Sequence, residues 1–354
     1  MPVSFEPSKP ADVDEIASLL TTAFNAPADA AFVERRLLQW KYFEPYGDGS
    51  TPRSYVLRQG DAIVAHCVAA PLTLRLAPRG EATPAHASAI CFTDWAGGRK
   101  LPGAGVMLMK KLMAQAPIAI VAGGSDATRQ AIPRLGFAIR DTIDIYARVV
   151  RPLRQARTRP SSGIAKDIAR FARNMAWSRA PLGAIAPGWD ARPVAHFDSV
   201  ATSDEALARA EHSTDYLNYW LRCPASQVSG FEIRYNDAPA GYFLLSRVGG
   251  QTRIAAISVT DPGSRIPDPG LWQQAVRLAT RAAAYDPETA EVVCMASTPA
   301  MRRALEACGF QRRDHAPLFL FDPKGLVESA SPVFWSGIDD DTAYVPDPAS
   351  PYRT

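Results

Sequence analysis

The sequence predicts a mixed α/β protein built from two tandem repeats, each a mixed, mostly antiparallel sheet flanked by helices. Three observations carry this. Tyr55-Val-Leu-Arg-Gln-Gly-Asp-Ala-Ile-Val-Ala65 and Phe231-Glu-Ile-Arg-Tyr-Asn-Asp-Ala-Pro-Ala-Gly241 each read as strand, two-residue turn and strand, 176 residues apart. Arg134-Leu-Gly-Phe137 and Ala307-Cys-Gly-Phe310 each close a helical stretch before an apolar strand, 173 residues apart. Two landmarks in one order at nearly one offset define an internal repeat. Each half also opens with an amphipathic helix, expected over Asp12–Phe24 and Ser203–Arg209.

A length of 354 residues suits two domains, and 47% apolar with 21% charged residues describes a chain with a core rather than a disordered one. The expected division is a first domain over 1–150, a linker over 151–200, a second domain over 201–325 and a tail over 326–354. The opening Met-Pro-Val-Ser-Phe-Glu-Pro is not a secretory signal, and no run approaches the ~20 apolar residues of a membrane span, so a cytoplasmic protein is expected. Cys67, Cys91, Cys223, Cys294 and Cys308 are scattered without a CxxC pair, which argues against disulfides and structural zinc. No other side chains show metal spacing.

After the opening helix, Trp40-Lys-Tyr-Phe-Glu-Pro45 has a counterpart in Tyr216-Leu-Asn-Tyr-Trp-Leu-Arg222. The preferred reading is that these aromatic clusters pin helices onto the sheets; the other is that they line an acceptor cleft. His66, in a hairpin strand among apolar neighbours, reads as structural.

Ala87–Leu112 is the most informative stretch. Residues 88–95 form a buried strand, a loop with Gly97, Gly98, Gly103 and Gly105 follows, and apolar residues then recur at helical spacing through Val106, Met109, Leu112 and Met113. Strand, glycine loop and helix start are what a phosphate cradle needs, because glycines admit a close ligand and the free N–H groups of a helix N-terminus face the anion. The stretch has neither GxxxxGK[ST] nor GxGxxG; what stands there is Lys100-Leu-Pro-Gly103-Ala-Gly105.

This K-x-x-G-x-G run resembles the [QR]-x-x-G-x-[GA] loop of the GNAT (GCN5-related N-acetyltransferase) acyltransferases, with Lys100 replacing Gln or Arg and Arg99 beside it. The strand Ile118–Ala122, the short helix ending in Leu135-Gly136-Phe137 and the closing strand Thr142–Ala147 also follow the family pattern. Trp40, Tyr42, Pro45 and Gly47 loosely resemble bacterial members associated with exopolysaccharide assembly. The resemblance implies an acyl-CoA (acetyl-CoA) co-substrate held by Phe92, Thr93, Trp95, Arg99, Lys100, Leu101, Pro102, Gly103, Ala104, Gly105 and Val106. It implies direct transfer to a small-molecule or glycan amine or hydroxyl.

Asp94, the carboxylate nearest the implied thioester, is the first candidate for general base, though an Asp before a glycine loop also caps turns. A base near neutral pH needs a raised pKa. Many family members place a Tyr acid four residues before the glycine of the Gly-Phe element; here Ile132 and Leu305 stand there. Tyr146 is the substitute candidate, against a plain packing role. Ser125 caps a helix or contacts the pantetheine, and Arg129 reaches a CoA phosphate or solvent.

In the second repeat, Asp261–Gly270 stands where the loop would be, but its prolines remove backbone donors, so that repeat reads as degenerate. Missing Tyr acids keep a scaffold role open. A Fem-like transferase drawing on charged tRNA is the other alternative, against which the Gly103 loop argues.

Between Arg148 and Pro181 stand nine basic residues and one acid, Asp167. Ile164, Ile168, Phe171 and Met175 share a face of an amphipathic helix. The preferred reading is a helix packed across both repeats with its basic side in water; the other is peripheral membrane contact through 160–180 at the inner face of the membrane. Nucleic-acid binding lacks a reader motif. The preferred reading of the tail Pro332–Asp341 is that it docks by its aromatic pair and then runs into solvent; the other is a metal-binding triple Asp over 339–341.

Overall fold

Both turns marked in the sequence close hairpins in the computed structural model, which describes residues 2–46, 49, 51–77, 85–98, 100–158, 163–201, 207–263, 270–329 and 331–344. Asn236 and Asp237 both take positive φ, 47° and 64°, the mirror-image turn whose twist matches its strands. The first half runs β1 (Val3–Pro7), α1 (Val13–Phe24), α2 (Arg35–Phe43), β2 (Ser54–Gln59), β3 (Ala62–Arg75), β4 (His86–Gly97), α3 (Ala104–Met113), β5 (Ile118–Ala122), α4 (Asp126–Ala131) and β6 (Ala138–Val149). Helices α5 (Pro152–Thr158) and α6 (Ile164–Ser178) follow. The second half runs β7 (Trp189–Val194), β8 (Ala208–Ala210), α7 (Thr214–Leu221), β9 (Gln227–Tyr235), β10 (Ala238–Val248), β11 (Gln251–Val259), α8 (Gly270–Tyr285), β12 (Glu291–Ala296), α9 (Pro299–Ala307), β13 (Gln311–Phe321) and β14 (Val333–Phe334).

The main strands form one continuous sheet in the order β1-β2-β3-β4-β5-β13-β6-β12-β11-β10-β9-β7. Read inward from its two ends, the order matches the halves strand for strand until the centre. There the closing strands are exchanged: β13 of the second half pairs with β5 of the first, and β6 of the first pairs with β12 of the second. β6 and β13 also pair with each other. The repeat is therefore a pseudo-symmetric pair, fused by trading the strand that follows each Gly-Phe element.

Three expectations change. The linker holds two helices rather than one, and β7, inside residues 151–200, is already the outer strand of the second half's sheet. No helix spans 203–209: Ala208–Ala210 is a strand, residues 202–206 lie outside those described, and the helix with Asp215, Tyr216 and Trp220 is α7. The two aromatic clusters do pin helices, and they do so on each other: Trp40 of α2 stacks on Tyr219 of α7, ring centroids 4.3 Å apart.

Arg148 of β6 shows how the exchange is fastened. Its guanidinium donates to Cys308 O at 2.7 Å and to Ala180 O at 2.5 Å, clasping the C-terminus of α9. Gly309 turns there at φ +76°, and a Cβ on it would lie 2.1 Å from Arg148 Nη1. Gly309→Ala is expected to cost about 2–3 kcal/mol, strain plus displacement of the clasp. Gly103→Ala, at φ +80° with nothing within 4 Å of the new Cβ, should cost about 1 kcal/mol from strain alone. Urea denaturation of both variants checks the difference.

Candidate active site

Strands β4 and β5 are parallel neighbours that part company. Their pairing runs from Ala89–Ile118 to Cys91–Ile120 and stops, although β4 continues along β3 to Gly97 and β5 along β13 to Ala122. Beyond Cys91 the β4 edge therefore faces a gap. A bulge sits at the gap: Asp94 and Trp95 together oppose Cys67, and Asp94 has φ 48°. Thr93 Oγ1 at this fork is buried without a hydrogen-bond partner among the described residues, which costs about 1–3 kcal/mol unless a ligand satisfies it.

The glycine loop joins the fork to α3. Trp95 Nε1 donates to Gly105 O at 2.8 Å, and a Cβ on Gly105 would lie 3.0 Å from that nitrogen. A Cβ on Gly97 would meet Gly105 N at 3.0 Å, so both glycines are needed for the close crossing. Ala104 N–H is used on Leu101 O and Met107 N–H on Gly103 O. The N–H groups of Gly105 and Val106, in the first turn of α3, meet no carbonyl of the described residues, which is the arrangement that receives an anion. Lys100 and Pro102 are exposed beside them, Leu101 packs on the first core, and Phe92 is buried under α3. Arg99 lies outside the described residues.

Asp94 points away from the loop. Its Oδ2 accepts from Lys41 Nζ at 2.7 Å and from Tyr42 Oη at 2.7 Å. Burial pushes this carboxyl up, but the Lys41 charge and hydrogen bond, with smaller help from His66 and Tyr42, bring it below its ordinary value. That is the reverse of the raised pKa expected of a base at this position. Lys41 also pairs with Asp341, so one buried ammonium bridges two carboxylates. Burial lowers the Lys41 pKa, yet the two acids together carry it above its usual value. His66 is structural: buried, bonded to Ser54 Oγ at 2.9 Å and to Asp94 O at 3.2 Å, it is pulled down to about 4, chiefly by burial.

The tail corrects another expectation. Instead of running into solvent after its aromatic pair, Trp335–Tyr344 is buried over most of its length, with Trp335, Ile338, Ala343 and Tyr344 all within 1% of full burial. Asp340 Oδ2 accepts from Trp335 Nε1 at 2.9 Å, and its Oδ1 from Thr342 N at 2.7 Å and Thr342 Oγ1 at 2.6 Å. Burial dominates these donors and raises its pKa to about 7. Burial, followed by the charges of Asp340, Asp341 and Asp339, also pushes the thiol of Cys91, the last β4 residue paired with β5, well up, so the tail's acids lie near the start of the gap.

Asp340 and Asp341 line a cavity of about 520 Å³ together with Ala122, Gly123, Gly124, Ser125 and Arg129 at the end of β5, and with residues of β6, β11 and β12. A smaller adjoining cavity is lined by Asp340, Asp341, Lys41 and Thr93. The fork, the tail and the space between the halves thus converge. Ser125 caps α4 by accepting from Thr128 N at 3.2 Å, and Arg129 Nε donates to Gly124 O at 3.0 Å; both lie at the cavity mouth.

Tyr146 is not brought into this group. Ile143, Ile145 and Ala147 face the cavity, whereas Tyr146, on the other face of β6, packs in the second half's core and donates to Glu306 Oε1 at 2.7 Å. Ile132 is fully buried in the first core, so no phenol stands at the family's acid position. Sequence reading missed Lys41, Asp340 and Asp341. The run Asp339-Asp340-Asp341 after Trp335 was its only signal, and an acidic run reads as surface.

The sequence matches no protein-family model and no curated protein. In structure it superposes on a probable N-acyltransferase from Enterococcus faecalis V583, with 10% identity, TM-score 0.54, and 90% of this chain against 72% of that one. A GCN5-related N-acetyltransferase from Anabaena variabilis gives 9% identity, TM-score 0.57, and 91% against 73%. The Saccharomyces cerevisiae N-myristoyltransferase with bound myristoyl-CoA gives 12%, 0.57, and 91% against 81%. Identities this low speak for the fold alone, and over about nine-tenths of its length this chain has the GNAT fold of these structures, its two halves arranged as a pseudo-symmetric pair.

Proposed function

We propose that the protein transfers an acyl group, acetyl in our reading, from CoA to an amine or hydroxyl of a small-molecule or glycan acceptor seated in the cavity between the halves. The observation that carries this is that Thr93 of the fork and Asp340, a carboxyl poised near neutral pH, line one cavity, while the loop that leaves the same strand ends in a helix N-terminus with unused N–H groups. Acyl-CoA supplies the thioester carbonyl that the acceptor attacks. Gly105 and Val106 N–H bind its pyrophosphate, with Lys100 and Arg129 adding charge at the rim. The β4 backbone at Phe92–Thr93 polarises the carbonyl in the fork.

Asp340 takes the acceptor's proton, the role first assigned to Asp94. Asp94, held by Lys41 and Tyr42, instead fixes the bulge that opens the fork. With Ile132 where the family's Tyr would stand, the thiolate leaves without a phenolic acid. The second half lends walls to the cavity.

Calorimetric titration with acetyl-CoA tests the reading. Micromolar binding is expected, with a loss of about 100-fold or more in Gly103→Glu, whose carboxylate would project toward the phosphates. No binding by the native chain would leave a scaffold, or a tRNA-dependent transferase, as the better assignment.

A further inference from the structure

Helix α6 is mounted with its apolar side outward. Ile164, Ala165, Ile168, Ala169, Ala172 and Ala176 share one arc and all are exposed, Ile164 to 80% and Ile168 to 64%. The opposite arc, against β6 and α5, carries the polar Asn174, which is 2% exposed and donates to Gln155 of α5; Gln155 in turn donates to Glu291 of β12. A helix on the surface of a water-soluble protein normally has the reverse arrangement. Of the face expected to pack, Phe171 and Met175 are half-buried while Ile164 and Ile168 stand in water, so the preferred expectation for this segment holds only in part; the polar Asn174 relay takes the buried side instead. Leu153 on α5, beside α6, is also 64% exposed.

Cations border this apolar face. Arg154 is paired with Glu288 and Arg151 is bonded to backbone carbonyls, but Arg157, Lys166 and Arg179 are exposed. Across residues 148–181 the single acid, Asp167, is paired within the helix to Arg170.

We infer that the α5–α6 face seats on an anionic lipid bilayer, with Ile164, Ile168 and Leu153 in the upper acyl region and Arg157, Lys166 and Arg179 on the headgroup phosphates. An apolar arc bordered by cations is the pattern of a helix lying in the interface plane. A second copy of the chain suits the face less well, because a two-fold contact through it would set the same cations against each other. Glu291, which anchors the relay behind α6, also lines the cavity, so the docked helices back onto its far wall.

Co-sedimentation with phosphatidylcholine vesicles, with and without phosphatidylglycerol, tests this. The protein is expected to pellet with the anionic vesicles alone, and high salt should weaken binding about tenfold or more. The double variant Ile164→Glu, Ile168→Glu should stay in the supernatant with unchanged circular dichroism and melting temperature, since both side chains are exposed in the native chain. Failure of the native protein to pellet overturns the inference, as does pelleting that the double variant retains. A dimer in sedimentation velocity that the double variant dissolves, with no vesicle binding, assigns the face to self-association instead.

Discussion

Asp340→Asn is expected to lower kcat/KM by about 10²- to 10⁴-fold while leaving acyl-CoA affinity within about twofold, the pattern of a lost general base rather than a lost binding group. The pH dependence should change with it. A base works ionised, so the native rate should climb as pH rises through about 7, the value to which burial carries Asp340, and then level off. The Asn variant should lack that limb. Stability runs the opposite way: with its folded pKa raised above the unfolded one, Asp340 contributes fully below the unfolded value and loses that contribution as pH rises through about 7. A rate profile with an inflection near 7 that survives Asp340→Asn would move the base elsewhere, and Asp341, which lines the same cavity, would be next to test.

The sequence made the repeat and the loop legible because both rest on local rules. A two-residue turn between alternating strands, a glycine that must turn left-handed after a helix, and a glycine run before an apolar helix each leave a mark within about a dozen residues. The strand exchange leaves no such mark: β6 and β13 have the same length and pattern whichever neighbour they take. The proposed base was hidden for a related reason. Asp340 acquires its character from Trp335, Thr342 and the burial of the tail between two halves that are far apart in sequence. Asp94 illustrates the converse: its position before the loop was legible, but Lys41, 53 residues away, decides its charge. In α6 the period and the amphipathicity were plain from the sequence; which side faces the protein depends on Gln155 and Glu291, which periodicity does not see.

Lys41→Met should destabilise the fold by about 3–5 kcal/mol at neutral pH, the cost of stranding the buried Asp94 and Asp341 without their shared cation. The sign against pH follows from both states. In the native protein Lys41 holds Asp94 below its ordinary value, so that contribution is present above the unfolded pKa and disappears as pH falls through the folded one. In the variant burial is opposed only by the weaker His66 and Tyr42 interactions at Asp94 and the Tyr344 hydrogen bond at Asp341, so it raises Asp94 and carries Asp341, already above its ordinary value, further up; each is then tolerated mainly when protonated. The deficit should therefore be small near pH 4 and grow as pH rises toward 7, in urea denaturation at each pH. Adding Asp94→Asn and Asp341→Asn to Lys41→Met should recover most of the loss, because neutral amides need no counter-charge. A deficit independent of pH would point to lost packing of the lysine stem instead. The effect should also reach the site: if the Lys41–Asp94 pair holds the bulge that opens the fork, Lys41→Met lowers acyl-CoA affinity even at a temperature where the variant is folded. Asp340→Asn, on the facing wall, leaves that affinity alone, and the contrast separates the group that shapes the fork from the group that moves the proton.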